Sequence, residues 1–360
     1  MTRFNIPIGP NHPLLKEPLS LLLTVEGERI LESSLRLGYV HRGIERLCQE
    51  RTYTQAIHLI ERVCGICSHV HSSTYCQAVE ALLNIEIPPR AKYIRALLCE
   101  LERIHSHLLW LGVLAKNIGL DTVFMYAWRD REIVLDLLEE ISGGRVSHAI
   151  NIIGGIKTNL DQPLVETIYK QLELLEPKLE VVLGLFENDP SVRIRTQGVG
   201  ILTKQEVQRQ CVVGPVARAS GVDFDLRRDI PREPYNLLDI KVITHKDGDV
   251  WARALVRIKE AHESLRLIRQ ILKIIPDGEI AVRAKRRIPK GEVVSRLEAP
   301  RGELFYYIRS DGSDKPARLK IRTPTIPALS LLTDQLRGVN LADAPVILSG
   351  IDLCIACADR

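Results

Sequence analysis

Apolar positions along the chain follow two rhythms. The stretch "PPRAKYIRALLCELERIHSHLLWLGVLAKNIG" keeps a helical period from a Pro-Pro start to a Gly stop and predicts one long helix. "WRDREIVLDLLEEISG" predicts a second, ended by Gly-Gly, and "DQPLVETIYKQLELLEPKLEVVLGLFEN" a third with a proline in mid-segment. "WARALVRIKEAHESLRLIRQILKII" predicts a fourth, apolar on one face and basic on the other. Residues 51–84 predict helix broken near Gly65. The strand rhythm is confined to the chain ends. "LSLLLTVEGERILESSLRLG" reads as a hairpin around "EGE", and "GEVVSRLEAPRGELFYYIRSDG" with "ARLKIRTP" reads as strands joined at Ser-Asp-Gly. The expected fold is mainly α within an α+β chain: a helical-bundle core, small β elements near both chain ends, and a single domain over residues 1–360. No internal repeat stands out.

Composition narrows the function. A hydrophobic share of 45% over 360 residues supports a real core, and a charged share of 26% a polar surface. The net charge of +4 is small, and acidic and basic residues interleave, so charge makes no case for nucleic acid. "LSLLLTV" and "LLWLGVLA" are far too short to span a bilayer. "MTRFNIPIGPNHP" lacks the apolar core of a signal peptide. The expected compartment is the cytoplasm. Eight cysteines there read as metal ligands, buried thiols or catalytic groups rather than disulfides.

The chemistry concentrates in two short stretches, "ERVCGICSHVHSS" with Cys64 and Cys67, and "DLCIACADR" with Cys354 and Cys357. Cysteines three apart can aim both sulfurs at one metal. One pair alone reads equally as a redox dithiol or as two buried thiols. Two pairs together supply the thiolates of a zinc or rubredoxin-like iron site. Nearly the whole chain lies between them, which suits a centre buried in mid-fold. Cys48, Cys76, Cys99 and Cys211 are scattered on helical faces and read as buried core thiols.

"RVCGIC" followed by His71, and the terminal D-x-C-x-x-C-x-x-R, resemble the two metal motifs of NiFe-hydrogenase large subunits. "GPNHP", "HRGIE", "SHLLWLG", "REIVLDLLEEISGGR", "NIIGGI" and "RGELFYYIRSDGSDKPARLKIRTPTIPAL" resemble the 49-kDa quinone-site subunit of complex I and the energy-converting group 4 hydrogenases related to it. The resemblance runs from Gly9 to Arg360. It is nearest to the short Ech-type and CO-dependent, CooH-like members, and implies the NiFe-hydrogenase large-subunit fold. The complex I subunit has lost the four cysteines; this chain keeps them, and soft thiolates suit nickel and low-spin iron.

The resemblance implies terminal nickel ligands at Cys64 and Cys354 and nickel–iron bridges at Cys67 and Cys357. The iron would carry CO and cyanide. Leu353 stands where the family usually has proline. Heterolytic H2 cleavage releases a proton, and the resemblance points to Glu17 in "HPLLKEP" as its carrier. Read without it, Glu17 is a surface glutamate after a lysine. Pro300 and Arg301 match a Pro-Arg pair that lies over the open side of the metals, where a guanidinium steadies developing charge; read alone, Arg301 is a turn residue. Asp352 would anchor Arg301 or the cysteine loop. His71 would donate to a bridging thiolate. His12, His69, His105 and His107 receive no role.

Many such hydrogenases hold a magnesium or iron ion with a glutamate of "RGxE", here Glu45, and a C-terminal histidine. Arg360 stands in that histidine's place, and a guanidinium has no lone pair to give. The expected outcome is an altered ion site in which Arg360 pairs with Glu45 or a neighbouring acid.

The implied activity is reversible H2 oxidation and proton reduction. The implied partners are a small subunit with a 4Fe-4S cluster, a ferredoxin-like iron–sulfur subunit, membrane ion-translocating subunits and ferredoxin itself. Those partners would place the chain on the inner face of the cell membrane. The rival readings are a nickel-free complex I relative reducing quinone or sulfur, and a scaffold with structural zinc.

Overall fold

The computed structural model describes residues 2–13 and 15–360. Four long helices, Pro89–Asn117, Asp121–Ser142, Gln162–Asn188 and Val250–Ile274, pack against one another as the expected bundle. Their ends are written in the sequence. Pro89 occupies a first-turn position, where a missing N–H costs nothing. Gly143 ends the second helix in the left-handed conformation. Asp161 and Asp249 accept from the backbone N–H groups of Leu164 and Ala252 and cap the other two. The second helix begins at Asp121, ahead of the sequence signal at Trp128. Its first turns bury only Val123 and Ala127 and expose Met125 and Tyr126, so the apolar period there is thin. Pro177 lies on the exposed side of the third helix. Leu172, Leu175, Leu179 and Val182 stay buried on the other side, so packing carries the helix through the missing hydrogen bond.

The fourth helix corrects the sequence reading. Its basic stripe does not simply face solvent: Arg253 and Arg257 are 0% and 1% exposed. Arg253 donates to the carbonyls of Gly200 and Gly248. Arg257 lies 4.0 Å over the Trp110 ring and 3.6 Å from the Asp352 carboxylate. These partners come from distant segments, so helical periodicity could not reveal them. Cys211 corrects a second expectation. It is exposed, not buried, at a left-handed backbone position after the helix Lys204–Arg209.

Two antiparallel three-stranded sheets flank the bundle. Arg3–Ile8, Ser20–Glu26 and Arg29–Arg36 form the first; the proline-bearing strand Arg3–Ile8, unread in the sequence, takes an edge, where a lost donor is tolerated. Gly291–Ala299, Gly302–Ser310 and Arg318–Arg322 form the second. Helix Ser68–Leu83 packs on this second sheet in one core, which contains all four motif cysteines. Helices Thr325–Leu336 and Ala344–Ile351 pack with the first sheet in another core, which contains Leu353 and Ile355. The chain end runs along the seam between the two.

Candidate metal centre

Cys64 lies just after helix Tyr53–Glu61, and Cys67 is the N-cap of Ser68–Leu83. Cys354 precedes the terminal turn Ile355–Asp359, which carries Cys357. The fold brings the pairs together. The Sγ atoms of Cys64 and Cys354 are 3.4 Å apart, those of Cys67 and Cys357 3.8 Å. The sulfurs of Cys64, Cys354 and Cys357 lie within 4.8 Å of one another. All four are buried free thiols. Thiolates bound at about 2.3 Å to one tetrahedral metal lie about 3.8 Å apart, so this spacing fits shared metal ligation. The hydrogen bond from Cys354, then that from Cys357, holds the Cys64 thiol well below its ordinary range. The set is soft and closed to solvent, and suits a thiophilic transition metal.

Glu17 reaches this cluster from the loop before the strand Ser20–Glu26. Its Oε1 is 3.7 Å from Cys354 Sγ. Its Oε2 accepts from the amides of Ile355 and Ala356, the latter at 3.3 Å. Burial first, then the charge of Cys64, raises its pKa above the ordinary carboxylate value.

Arg301 occupies a two-residue hairpin turn with Pro300, since Ala299 pairs with Gly302. The turn is pressed against Gly214, where a Cβ would lie 2.2 Å from the Arg301 carbonyl, so that contact requires glycine. Arg301 donates through Nε to the Asp352 carbonyl at 3.0 Å and through a terminal nitrogen to its carboxylate at 2.9 Å. Asp352 caps the helix Ala344–Ile351 in the left-handed conformation, which aspartate tolerates. Burial pushes its pKa up, but Arg301, then Lys16 and Arg257, outweigh burial and hold it below the ordinary value.

His71 stands one turn into the helix from Cys67. Its Nε2 is 3.6 Å from Cys357 Sγ and its Nδ1 is 2.6 Å from the Tyr306 hydroxyl. Burial lowers its pKa to about 4, so the ring is neutral. Were Cys357 a metal-bound thiolate, Nε2–H would donate to it and Tyr306 would donate to Nδ1. At the rim, Arg360 Nε is 2.9 Å from Glu45 Oε1, which also accepts from the Ile321 amide at 2.9 Å. The structure thus gathers Glu17, Arg301, Asp352 and His71 around the cysteines and sets Glu45 with Arg360 at the edge.

Sequence reasoning missed several groups. Arg42 donates to the carbonyls of Arg62 and Val63, beside the first motif, and of Ala356, inside the second. Thr325 Oγ1 accepts from the Cys354 amide, and Thr323 donates to the Cys357 carbonyl. Lys16 pairs with Asp352 at 2.9 Å. All four lie inside quoted motifs, Arg42 in "HRGIE", Lys16 in "HPLLKEP" and both threonines in "IRTPTIPAL", but nothing local in those stretches names their partners. Size does not mark the centre either. A cavity of about 660 Å³ lined by Gln77, Glu80, Arg95 and Arg232 includes none of the four cysteines.

The model of the respiratory-chain NADH dehydrogenase 49-kDa subunit matches residues 117–287 and 281–360, and that of the nickel-dependent hydrogenases matches residues 42–126. The carbon monoxide-induced hydrogenase of Rhodospirillum rubrum is 40% identical over 100% of both chains. The chain belongs to this hydrogenase and complex I 49-kDa subunit family. A subunit of the F(420)H(2) dehydrogenase of Methanosarcina mazei, also 40% identical, matches across 99% of this chain and 97% of its own length. Among solved structures, a chain of the membrane-bound sulfane sulfur reductase, an archaeal respiratory membrane complex, superposes with a TM-score of 0.95 at 31% identity, covering 99% of this chain and 98% of its own. Family membership therefore establishes an oxidoreductase subunit of this fold. The relatives carry several activities at equal identity, so the cysteine cluster has to discriminate among them. No helix among the described residues is long and apolar enough to cross a membrane.

Proposed function

We propose that the chain is the catalytic large subunit of a membrane-associated, energy-converting NiFe hydrogenase, interconverting H2 with protons and electrons. One observation carries this reading: four free thiols from the two ends of the chain meet in one buried cluster. Cys64, Cys67, Cys354 and Cys357 would together hold a nickel–iron centre. Bound there, a Ni–Fe centre with CO and cyanide on iron supplies the Lewis acidity and electron uptake that H2 activation needs.

The chain's own groups handle the proton and the surrounding charge. Glu17, with Oε1 toward Cys354 Sγ, would accept a proton from that sulfur. Beside it a cavity of about 30 Å³, lined by Lys16, Glu17 and Ser349 among apolar residues, has room for a water to pass the proton on. Arg301 holds a fixed guanidinium over the cluster, with Asp352 keeping its fork oriented. His71, donating to Cys357, withdraws charge from that sulfur. At the rim, Arg360 supplies positive charge to Glu45 in place of the ion that a glutamate and a C-terminal histidine would hold together.

Electrons need a route out, and the remaining cysteines form no further iron–sulfur motif. The reading therefore includes a small partner with a 4Fe-4S cluster, a ferredoxin-like subunit, ion-translocating membrane subunits and ferredoxin as the physiological partner. The likeness to the sulfane sulfur reductase complex favours one alternative, a nickel-free subunit reducing sulfur or quinone. The four thiols favour the hydrogenase. Nickel and iron quantified in the purified complex, beside H2 evolution from a reduced viologen, test the choice. Stoichiometric zinc without nickel, or a metal-free active complex, overturns the proposal.

A further inference from the structure

We propose that Lys16 is a positioning residue that latches Glu17 onto the Cys354 segment. This rests on the reading of Glu17 as the proton carrier.

The two residues are consecutive and straddle the same segment. The Lys16 ammonium is 2.9 Å from Asp352 Oδ1, two residues before Cys354. The Glu17 carboxylate accepts from the amides of Ile355 and Ala356, just after it. The loop is thereby pinned on both sides of the sulfur it serves. Its neck is held by Gly9, where a Cβ would lie 2.0 Å from the Leu19 carbonyl oxygen. Between neck and latch, Asn11, His12 and Pro13 are exposed. The Lys16 backbone faces solvent too, but its side chain turns inward and is 20% exposed, against 2% for Asp352.

Asp352 also binds Arg301, so one carboxylate registers the proton carrier and the guanidinium to each other. Three cations, Lys16, Arg257 and Arg301, share it. Removing the ammonium therefore leaves Asp352 paired twice over, with no orphaned buried charge to unfold the protein. A loosened loop lets Glu17 drift from Cys354, and displacement of a reacting group by about 1 Å costs on the order of a hundredfold in rate.

The test compares Lys16→Met, which keeps the stem and drops the charge, with Lys16→Arg in the assembled complex. Lys16→Met should keep its metals and para-to-ortho H2 conversion. It should lower H2/D⁺ exchange by about a hundredfold at an unchanged KM for H2, and speed amide hydrogen exchange at Ile355 and Ala356 by tenfold or more. Lys16→Arg should restore both. Unchanged amide protection in Lys16→Met overturns the latch, as does slow proton exchange with normal protection or a failure of arginine to rescue. Lost protection with undiminished H2/D⁺ exchange overturns the link to Glu17. If the wild-type complex shows no H2 chemistry, the functional reading fails, and the amide measurement still decides the latch.

Discussion

The sulfurs of Cys64 and Cys354 lie 3.4 Å apart, although 290 residues separate them in the chain. Neither local helix packing nor a shared turn can bring them so close. The meeting depends on the chain end lying along the seam between two cores, and the polar tethers of Arg42, Glu17, Thr323 and Thr325 fix it there.

Serine at Cys64 or Cys354 is therefore expected to remove nickel and H2 activity together, because a hydroxyl is a hard, weakly acidic donor where a soft thiolate is needed. Elemental analysis of the purified variants measures it. Full nickel occupancy with retained H2 evolution in either variant would contradict the assignment.

Glu17→Gln should leave the metals in place and slow every reaction that moves protons between centre and solvent. The amide keeps the shape and removes the proton-carrying group. Para-to-ortho H2 conversion needs no exit and should persist. A variant with wild-type H2/D⁺ exchange would exclude Glu17 from the path.

Arg301→Lys should cut turnover by about a hundredfold or more, the scale of losing one preorganised donor. Lysine keeps the charge but cannot bond the Asp352 carbonyl and carboxylate together as the planar fork does. Turnover close to wild type with intact metal content would refute this role.

Glu45 gives a pH-dependent signature. Burial works against its ionisation, but the Ile321 amide, then Arg360 and Lys320, hold its pKa below the ordinary value. A depressed carboxylate stabilises the fold above its unfolded pKa of about 4.3, and that contribution is lost as pH falls through the lower folded value. Glu45→Gln should cost about 1–2 kcal/mol at pH 7. The gap from wild type should begin to narrow below the unfolded pKa of about 4.3 and close once the pH is below the lower folded value. Equal destabilisation by denaturant titration at both pH values would show that the ion pair contributes nothing. Arg360→His should in turn admit a divalent ion beside Glu45, visible by anomalous scattering.

The sequence by itself determined the helical body and picked out the four cysteines that meet in the buried cluster. Helical periodicity over long windows, proline starts and glycine stops are local signals, and the bundle follows them. The two C-x-x-C motifs were legible because metal chemistry demands particular atoms at short spacing. The expectation for Arg360 likewise rested on what a guanidinium cannot do.

Tertiary structure alone decided the rest. The burial of Arg253 and Arg257 on a helix face that reads as basic follows from carbonyls, an indole and a carboxylate supplied by distant segments. The latch of Lys16 on Asp352 joins positions 336 apart in the chain. Local sequence sets which backbone conformations are cheap, whereas an ion pair in a water-poor seam exists only once packing has removed the solvent and brought its second partner.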